Sequence, residues 1–114
     1  MLAVIFEVTP HEEGRARYFE LAAALKAELE TVDGFISVER FESLMTPGKF
    51  LSLSFWRDEE ALARWRQSVR HRAAQFQGRS ALFSDYRLRV ASVIRDYGLH
   101  EREEAPDDLR AAHS

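Results

Sequence analysis

The run FLSLSFWRDEEALARWRQSVRHRAAQ, residues 50 to 75, joins a strand to a helix and decides the fold. Its first seven residues alternate between two sides, as the period of a strand requires. One side carries Leu51, Leu53 and Phe55, and the other carries Phe50, Ser52, Ser54 and Trp56. Asp58 then offers a side-chain acceptor to the free amide groups of the next turn, where Leu62 and Trp65 share one helix face. The run predicts a strand from Phe50 to Trp56 followed by a helix.

The predicted helix extends from Glu59 to about Arg66. Glu59 stands where the helix dipole favours negative charge. Ser68 is interpreted as the cap of a further helical piece that extends to Gln77 and is closed by Gly78.

Outward from this run, the remaining segments complete a simple order of elements. Strands are predicted at Leu2–Thr9, Phe35–Leu44 and Tyr86–Arg95, and an amphipathic helix at Arg15–Val32 that stops at Asp33-Gly34. The tetrapeptide TPGK is predicted to be the turn between the second and third strands. With right-handed crossovers, the order strand, helix, strand, strand, helix, strand predicts a ferredoxin-like α+β fold, a four-stranded antiparallel sheet with helices on one face.

Both faces of several strands are apolar, although helices cover only one face. In the first strand Val4, Phe6 and Val8 oppose Ala3 and Ile5; in the second, Ile36 and Val38 oppose Phe35 and Phe41. A large exposed apolar patch is unusual on a monomer, so a homodimer with its two sheets packed face to face is expected. Residues 1–96 are interpreted as one domain and residues 97–114 as a charged C-terminal tail.

The amino-acid composition limits the classes of function that are expected for this chain. The 114 residues carry 16 Lys and Arg against 19 Asp and Glu, a net charge of -3, and contain no cysteine. This charge does not favour binding to nucleic acid or to an anionic membrane, and no apolar run is long enough to span a bilayer. The N-terminal segment lacks the pattern of a signal peptide, so a cytoplasmic protein is expected. Neither a metal site nor a glycine-rich cofactor loop is predicted.

His71 is the only histidine inside the predicted fold, because His11 lies in a loop and His100 and His113 in the tail. Its near-neutral pKa suits proton transfer, which makes it the candidate catalytic base. The alternative is a capping or surface histidine.

Three runs carry a resemblance to a known family: DGFISVERFESL, LSLSFWRDEEALARWRQSVRHRAAQ and DYRLRVASVIRDYG. Over roughly residues 2 to 98 the chain resembles the antibiotic biosynthesis monooxygenase family of dimeric α/β barrels. The resemblance implies a homodimer with a pocket between the sheet and the helices of each subunit. The family includes small cofactor-free monooxygenases that oxidise polycyclic aromatic or quinol substrates, haem-degrading relatives, and many proteins with no assigned reaction.

The resemblance also implies site residues, position by position. Trp65 matches a tryptophan on the helix after the third strand, and His71, Tyr86 and Arg87 are the nearest counterparts of the other pocket residues. The implied substrate is a small aromatic, phenolic or quinol-like molecule, oxidised with molecular oxygen and no cofactor. Haem-degrading relatives have an asparagine near the end of the first strand, where this chain has Glu7.

Two glutamates stand in otherwise apolar strands and leave alternatives open. Glu7 and Glu39 are interpreted either as bases of raised pKa or as ion-pair partners of Arg40, Arg87 or Arg89. For the whole chain, the hypothesis is a cofactor-independent monooxygenase. Its rivals are a non-catalytic dimeric module that binds a small molecule, and a haem-binding or haem-degrading protein.

Overall fold

The computed structural model describes the backbone of residues 1–75 and 82–110 and the side chains of residues 1–68 and 82–109. The elements in chain order are β1 (Leu2–Pro10), a 3-10 turn (Glu12–Gly14), α1 (Arg15–Leu29), β2 (Phe35–Glu42), β3 (Phe50–Trp56), α2 (Glu59–Gln75), β4 (Phe83–Ser92) and α3 (Asp107–Arg110). No helix in the described part of the chain is both long and apolar enough to cross a membrane.

The four strands form one antiparallel sheet in the order β2-β3-β1-β4. The core cluster joins Val4 of β1 and Trp56 of β3 to Leu29 of α1 and Ala61 of α2, so both helices pack on the same face of the sheet. We call this the inner face and the opposite one the outer face. The ferredoxin-like α+β fold predicted from the order of elements is therefore confirmed.

Strand register fixes which side chains share each face. Val4 lies opposite Ser54 on one side and Val90 on the other, and Phe6 lies opposite Ser52 and Leu88. Because side chains alternate along a strand, these positions all belong to the inner face. Outer-face positions include Ile5, Glu7, Leu51, Leu53, Phe55, Arg87 and Arg89.

A register irregularity in β2, between Phe35 and Ser37, corrects the predicted faces of that strand. Phe35 and Val38 both pack against the core, although alternation places them on opposite sides, whereas Ile36 is exposed. The extra residue reverses the parity of the strand start, which simple alternation does not anticipate.

The two turns next to glycine follow the prediction. Gly34 after α1 has φ 94° and Gly48 in the TPGK turn has φ 82°, both in the left-handed region. The Lys49 amide donates to the Thr46 carbonyl at 3.2 Å, which closes the turn with Pro47 in its favoured second position. α1 ends at Leu29 rather than Val32, because Thr31 and Val32 donate to carbonyls three residues back and tighten the final turn.

The second helix and the last strand differ from their predicted bounds. α2 is continuous from Glu59 to Gln75, so the predicted break at Ser68 is wrong: neither glycine nor proline interrupts the segment there. β4 spans Phe83–Ser92 instead of Tyr86–Arg95 because its partner β1 begins at Leu2, which pairs with Ser92. Beyond Ser92, the Val93 amide donates one further hydrogen bond to the Met1 carbonyl, which precedes β1.

The segment after β4 folds back on itself around Arg102. The Arg102 guanidinium lies over the Tyr97 ring at 5.2 Å and donates to the carbonyls of Gly98 and Leu109, each at 3.0 Å. Ala105 is buried, with 2% of its surface exposed. These contacts join the 97–109 segment into a compact C-terminal extension.

Candidate functional site

A cavity of about 300 Å³ lies between the inner face of the sheet and the helices. One wall is α1, whose Tyr18, Leu21, Ala22, Leu25 and Leu29 recur at helical spacing. The floor comes from the sheet, and the remaining lining residues are Val4, Phe6, Val38, Arg40, Ser52, Ser54, Trp56, Trp65, Leu82, Phe83 and Leu88. The volume is at the small end of the usual range for small-molecule pockets.

Aromatic rings form much of the lining. The rings of Trp56 and Trp65 lie 6.3 Å apart at an angle of 32°, and Trp56 is almost fully buried. At the other end, Tyr18 meets Phe83 edge to face at 5.7 Å. Such rings present flat apolar surfaces, so the cavity is suited to a planar, largely apolar ligand.

The serines of β3 lie on the floor, where alternation gives them the inner face. The Trp56 Nε1–H donates to Ser54 Oγ at 2.9 Å, which satisfies the indole donor in this buried position. Ser52 lies opposite Arg40 of β2 and Phe6 of β1. The Ser52 hydroxyl and the Arg40 guanidinium therefore stand side by side on the floor.

Arg40 is the cationic residue of the described lining. Its Nε atom is buried and has no hydrogen-bond partner among the described residues. Burial raises the pKa of the Tyr18 hydroxyl, and the charge of Arg40 with a hydrogen bond from its side chain opposes that rise. Tyr18 thus remains protonated at neutral pH and acts as a donor rather than a base.

The structure places the four predicted site residues differently. Trp65 lines the cavity. His71 lies within α2, but its side chain is outside the described residues. Tyr86 has the inner-face register and lies 5.9 Å from the Phe6 ring, but its side chain is 62% exposed and does not line the cavity. Arg87 lies opposite Glu7 on the outer face.

Glu7 is an ion-pair partner rather than a base of raised pKa. Its carboxylate accepts from Arg89 at 3.1 Å and lies 3.7 Å from Lys49 Nζ. The hydrogen bond from Arg89, followed by the charge of Lys49, holds the pKa of Glu7 below its ordinary value. Of the alternatives left open by the sequence, pairing with Arg89 is the one observed, and it lies within the chain on the outer face.

No cluster of His, Cys, Asp or Glu within residues 1–68 and 82–109 could hold a metal ion. The described lining contains neither a carboxylate nor a histidine. What it offers is a largely apolar lining, aromatic surfaces and a cationic donor with two hydroxyl groups nearby. That combination is chemically able to bind an apolar ring and to stabilise a negatively charged oxygen on it.

Tyr18 and Arg40 are the residues that the sequence analysis did not assign to the site. Tyr18 falls within the predicted amphipathic helix without any sign of a separate role, and Arg40 is predicted only as an ion-pair partner of the glutamates. One signal was available: Arg40 alternates with Val38 on the side of β2 that faces the core, where a charged residue is unusual.

Comparison with known proteins agrees with the ferredoxin-like fold. The family model described as antibiotic biosynthesis monooxygenase matches residues 1–77, which include the described lining as far as Trp65. The fold and site thus define a small α+β protein with an apolar cavity between its sheet and its helices. The chain belongs to the antibiotic biosynthesis monooxygenase family, as its resemblance predicted.

The curated relative "Jasmonate monooxygenase ABM" of Pyricularia oryzae is 48% identical over 93 residues, which make up 82% of this chain and 43% of the relative. The chain therefore spans less than half of that protein. Among solved structures, Rv0793 from Mycobacterium tuberculosis has a TM-score of 0.72 at 22% identity, covering 85% of this chain and 98% of that one. A variant of SnoaB, a cofactor-independent oxygenase from Streptomyces nogalater, has a TM-score of 0.66 at 15% identity. The match covers 83% of this chain and 94% of that one. At these identities the two structures establish the fold.

Proposed function

We propose that the chain is a cofactor-independent monooxygenase that oxidises a small aromatic, phenolic or quinol-like molecule in the cavity beside Trp65. The observation that carries the proposal is the largely apolar, aromatic cavity with Arg40 in its lining, in a chain of this family. The name of the Pyricularia relative adds jasmonate to the candidate substrates.

The proposed chemistry uses the substrate itself as the reductant. A base removes a proton from an activated C–H or O–H group, and the resulting anion passes one electron to O₂. The radical pair combines to a substrate hydroperoxide, which loses water: for a methylene group, CH₂ plus O₂ gives C=O plus H₂O. An apolar cavity favours this sequence because it keeps bulk water from the radical pair.

Roles are assigned within that sequence. His71 is proposed as the base because the family resemblance assigns it to the pocket, and because Tyr18, whose pKa is raised by burial, is protonated at neutral pH. Trp65 is proposed to hold the substrate ring. Tyr86 and Arg87, which do not line the cavity, stay predictions from the family resemblance.

The test is oxygen uptake with a panel of anthrones, quinols, jasmonate and haem. We expect turnover with at least one phenolic or quinol substrate, and a loss of about 10²- to 10⁴-fold in His71→Ala, the range for removal of a general base. His100→Ala in the C-terminal extension is the matched control. Turnover retained in His71→Ala removes that residue from the mechanism, and no uptake with any compound favours the non-catalytic binding module. Loss of the haem absorbance instead favours the haem-degrading alternative.

We also propose a homodimer formed through the outer face. Ile5, Leu51, Leu53 and Phe55 give this face an apolar centre, flanked by the Glu7–Arg89 ion pair. Leu53→Glu is expected to yield a folded monomer in sedimentation experiments, because a buried unpaired carboxylate is costly at an interface. Leu109→Glu, in α3, is the control. A wild type that sediments as a monomer would contradict the proposal.

A further inference from the structure

Arg40 combines two properties that a structural arginine rarely shows together. It lines the cavity, and its Nε–H is buried without a hydrogen-bond partner among the described residues. A buried donor that remains unpaired costs free energy, and nearly all such groups in native proteins have a partner. The described ion pairs of the chain engage Arg17, Lys49, Arg57, Arg64 and Arg89, but not Arg40.

The surroundings of Arg40 favour an anion as its missing partner. Across the lining, Val38, Leu88 and the rings of Phe6 and Phe83 are apolar, so these side chains offer the guanidinium no acceptor. Tyr18, whose hydroxyl is protonated, and Ser52, which lies opposite Arg40 on β3, add donors at the same place. A cation with hydroxyl donors among apolar side chains is suited to bind an anionic oxygen by charge-assisted hydrogen bonds.

We infer that Arg40, assisted by Tyr18, binds a negatively charged oxygen of the ligand, so that the substrate is an apolar ring compound with one acidic oxygen, a phenolate, an enolate or a carboxylate. The inference rests on the proposed function for the location of the substrate. Within that function, an enolate or phenolate bound at Arg40 is the electron-rich form that reacts with O₂. A carboxylate bound there instead orients a ring that reacts elsewhere.

The inference is tested by calorimetric binding, which needs no turnover. Two anions are each paired with a neutral analogue: 2-hydroxy-1,4-naphthoquinone, ionised at neutral pH, with 1,4-naphthoquinone, and 1-naphthoate with 1-naphthalenemethanol. We expect wild type to prefer at least one anion to its neutral analogue. We expect Arg40→Met to weaken that anion by about 10- to 100-fold with little change for the neutral analogue.

Three further variants separate a ligand-binding role from a structural one. Arg40→Lys keeps the charge without the Nε–H group and is expected to restore part of the affinity. Tyr18→Phe is expected to lose less affinity than Arg40→Met. Arg17→Met, an exposed arginine of α1, is expected to bind like wild type.

The outcomes are distinct. Preference for the enolate identifies the reacting oxygen as the bound one, and preference for the carboxylate identifies a remote anchor; both support the inference. No preference for either anion, or equal binding by Arg40→Met and Arg17→Met, overturns it. Charge-selective binding without oxygen uptake leaves the inference standing while the monooxygenase proposal fails.

Discussion

Two arginines of this chain, Arg57 and Arg40, have opposite surroundings. Arg57 donates to both carboxylate oxygens of Asp33, at 3.2 and 3.3 Å, and to Asp58 at 3.0 Å. We call this region, with Gly34 and Arg64, the Asp33 corner; it joins the end of α1 to the start of α2. Arg40, on the cavity floor, has no carboxylate partner in the described part of the chain. One region satisfies its charges within the fold, and the other leaves hydrogen-bonding capacity free for a ligand.

The comparison also separates what stabilises the protein from what serves a site. The ion pairs of the Asp33 corner are largely exposed, and pairs of that kind contribute little to stability. The corner instead depends on backbone geometry: the Arg57 amide donates to the Gly34 carbonyl at 2.7 Å, and Gly34 packs against the buried Ala61. Stability here follows from close packing rather than from charge.

The largest expected effect is a loss of stability from a substitution in the Asp33 corner. In Gly34→Ala the new Cβ lies 2.5 Å from the Ala61 Cβ, and the residue must keep a φ of +94°. Overpacking and backbone strain therefore both destabilise the folded state. We expect the free energy of unfolding to fall by about 3 kcal/mol, measured by denaturant titration.

The matched control is Gly48→Ala, where φ is +82° but the nearest atom is the flexible end of Arg15, at 3.1 Å. That variant is expected to lose only about 1 kcal/mol from strain. Equal losses in the two variants would mean that contact with Ala61 does not determine the corner's stability.

The second prediction fills the cavity and leaves the Asp33 corner intact. Ala22 of α1 is buried and lines the cavity, so Ala22→Leu adds three carbons to the space a ligand needs. We expect ligand affinity to fall at least ~10-fold, while the free energy of unfolding changes by less than about 1 kcal/mol because space is available. Calorimetry and thermal melting measure the two quantities.

Ala23→Leu, at the next and exposed position of α1, is the control and is expected to bind normally. Unchanged binding in Ala22→Leu would place the ligand outside this cavity.

The third prediction compares the two arginines directly. Without ligand, Arg40→Met is expected to unfold within about 1 kcal/mol of wild type, because the lost hydrogen bond to Tyr18 is offset by removal of a buried Nε–H group that has no partner among the described residues. Arg57→Met is likewise expected to unfold within about 1 kcal/mol of wild type, because its ion pairs with Asp33 and Asp58 are largely exposed. A larger loss in Arg40→Met than in Arg57→Met would assign Arg40 a structural role.

The sequence alone predicts the Asp33 corner well and the cavity poorly, and the reason is physical. The left-handed glycine and the capping aspartate act through neighbouring backbone groups, so local patterns contain the information: Asp58 Oδ1 accepts from the Ala61 amide at 2.9 Å, and Gly34 has positive φ. The order of elements likewise predicts the sheet.

The cavity brings together positions far apart in the chain. Tyr18, Arg40 and Trp65 come from α1, β2 and α2, and only Trp65 was assigned to the site beforehand, through the family resemblance. Alternation predicts that Arg40 shares a face with Val38. It does not indicate whether helix side chains cover that face or leave a space beside it.

The smallest expected effect concerns acid stability. The hydrogen bond from the Ala61 amide, followed by that from Arg57, holds the pKa of Asp58 below its ordinary value of 3.8, and Arg57 does the same for Asp33. A carboxyl with a lowered folded-state pKa contributes stability above its unfolded pKa and loses it as pH falls through the folded value. We therefore expect the melting temperature to decrease as the pH is lowered below about 4. The decrease is expected to be less steep in Asp58→Asn, which keeps an acceptor but does not titrate.

Arg40→Met is expected to follow the wild-type profile, because Arg40 is bound to no carboxylate among the described residues. An altered acid profile in Arg40→Met would contradict the contrast between the two arginines, since it would mean that Arg40 pairs with a carboxylate in the folded chain.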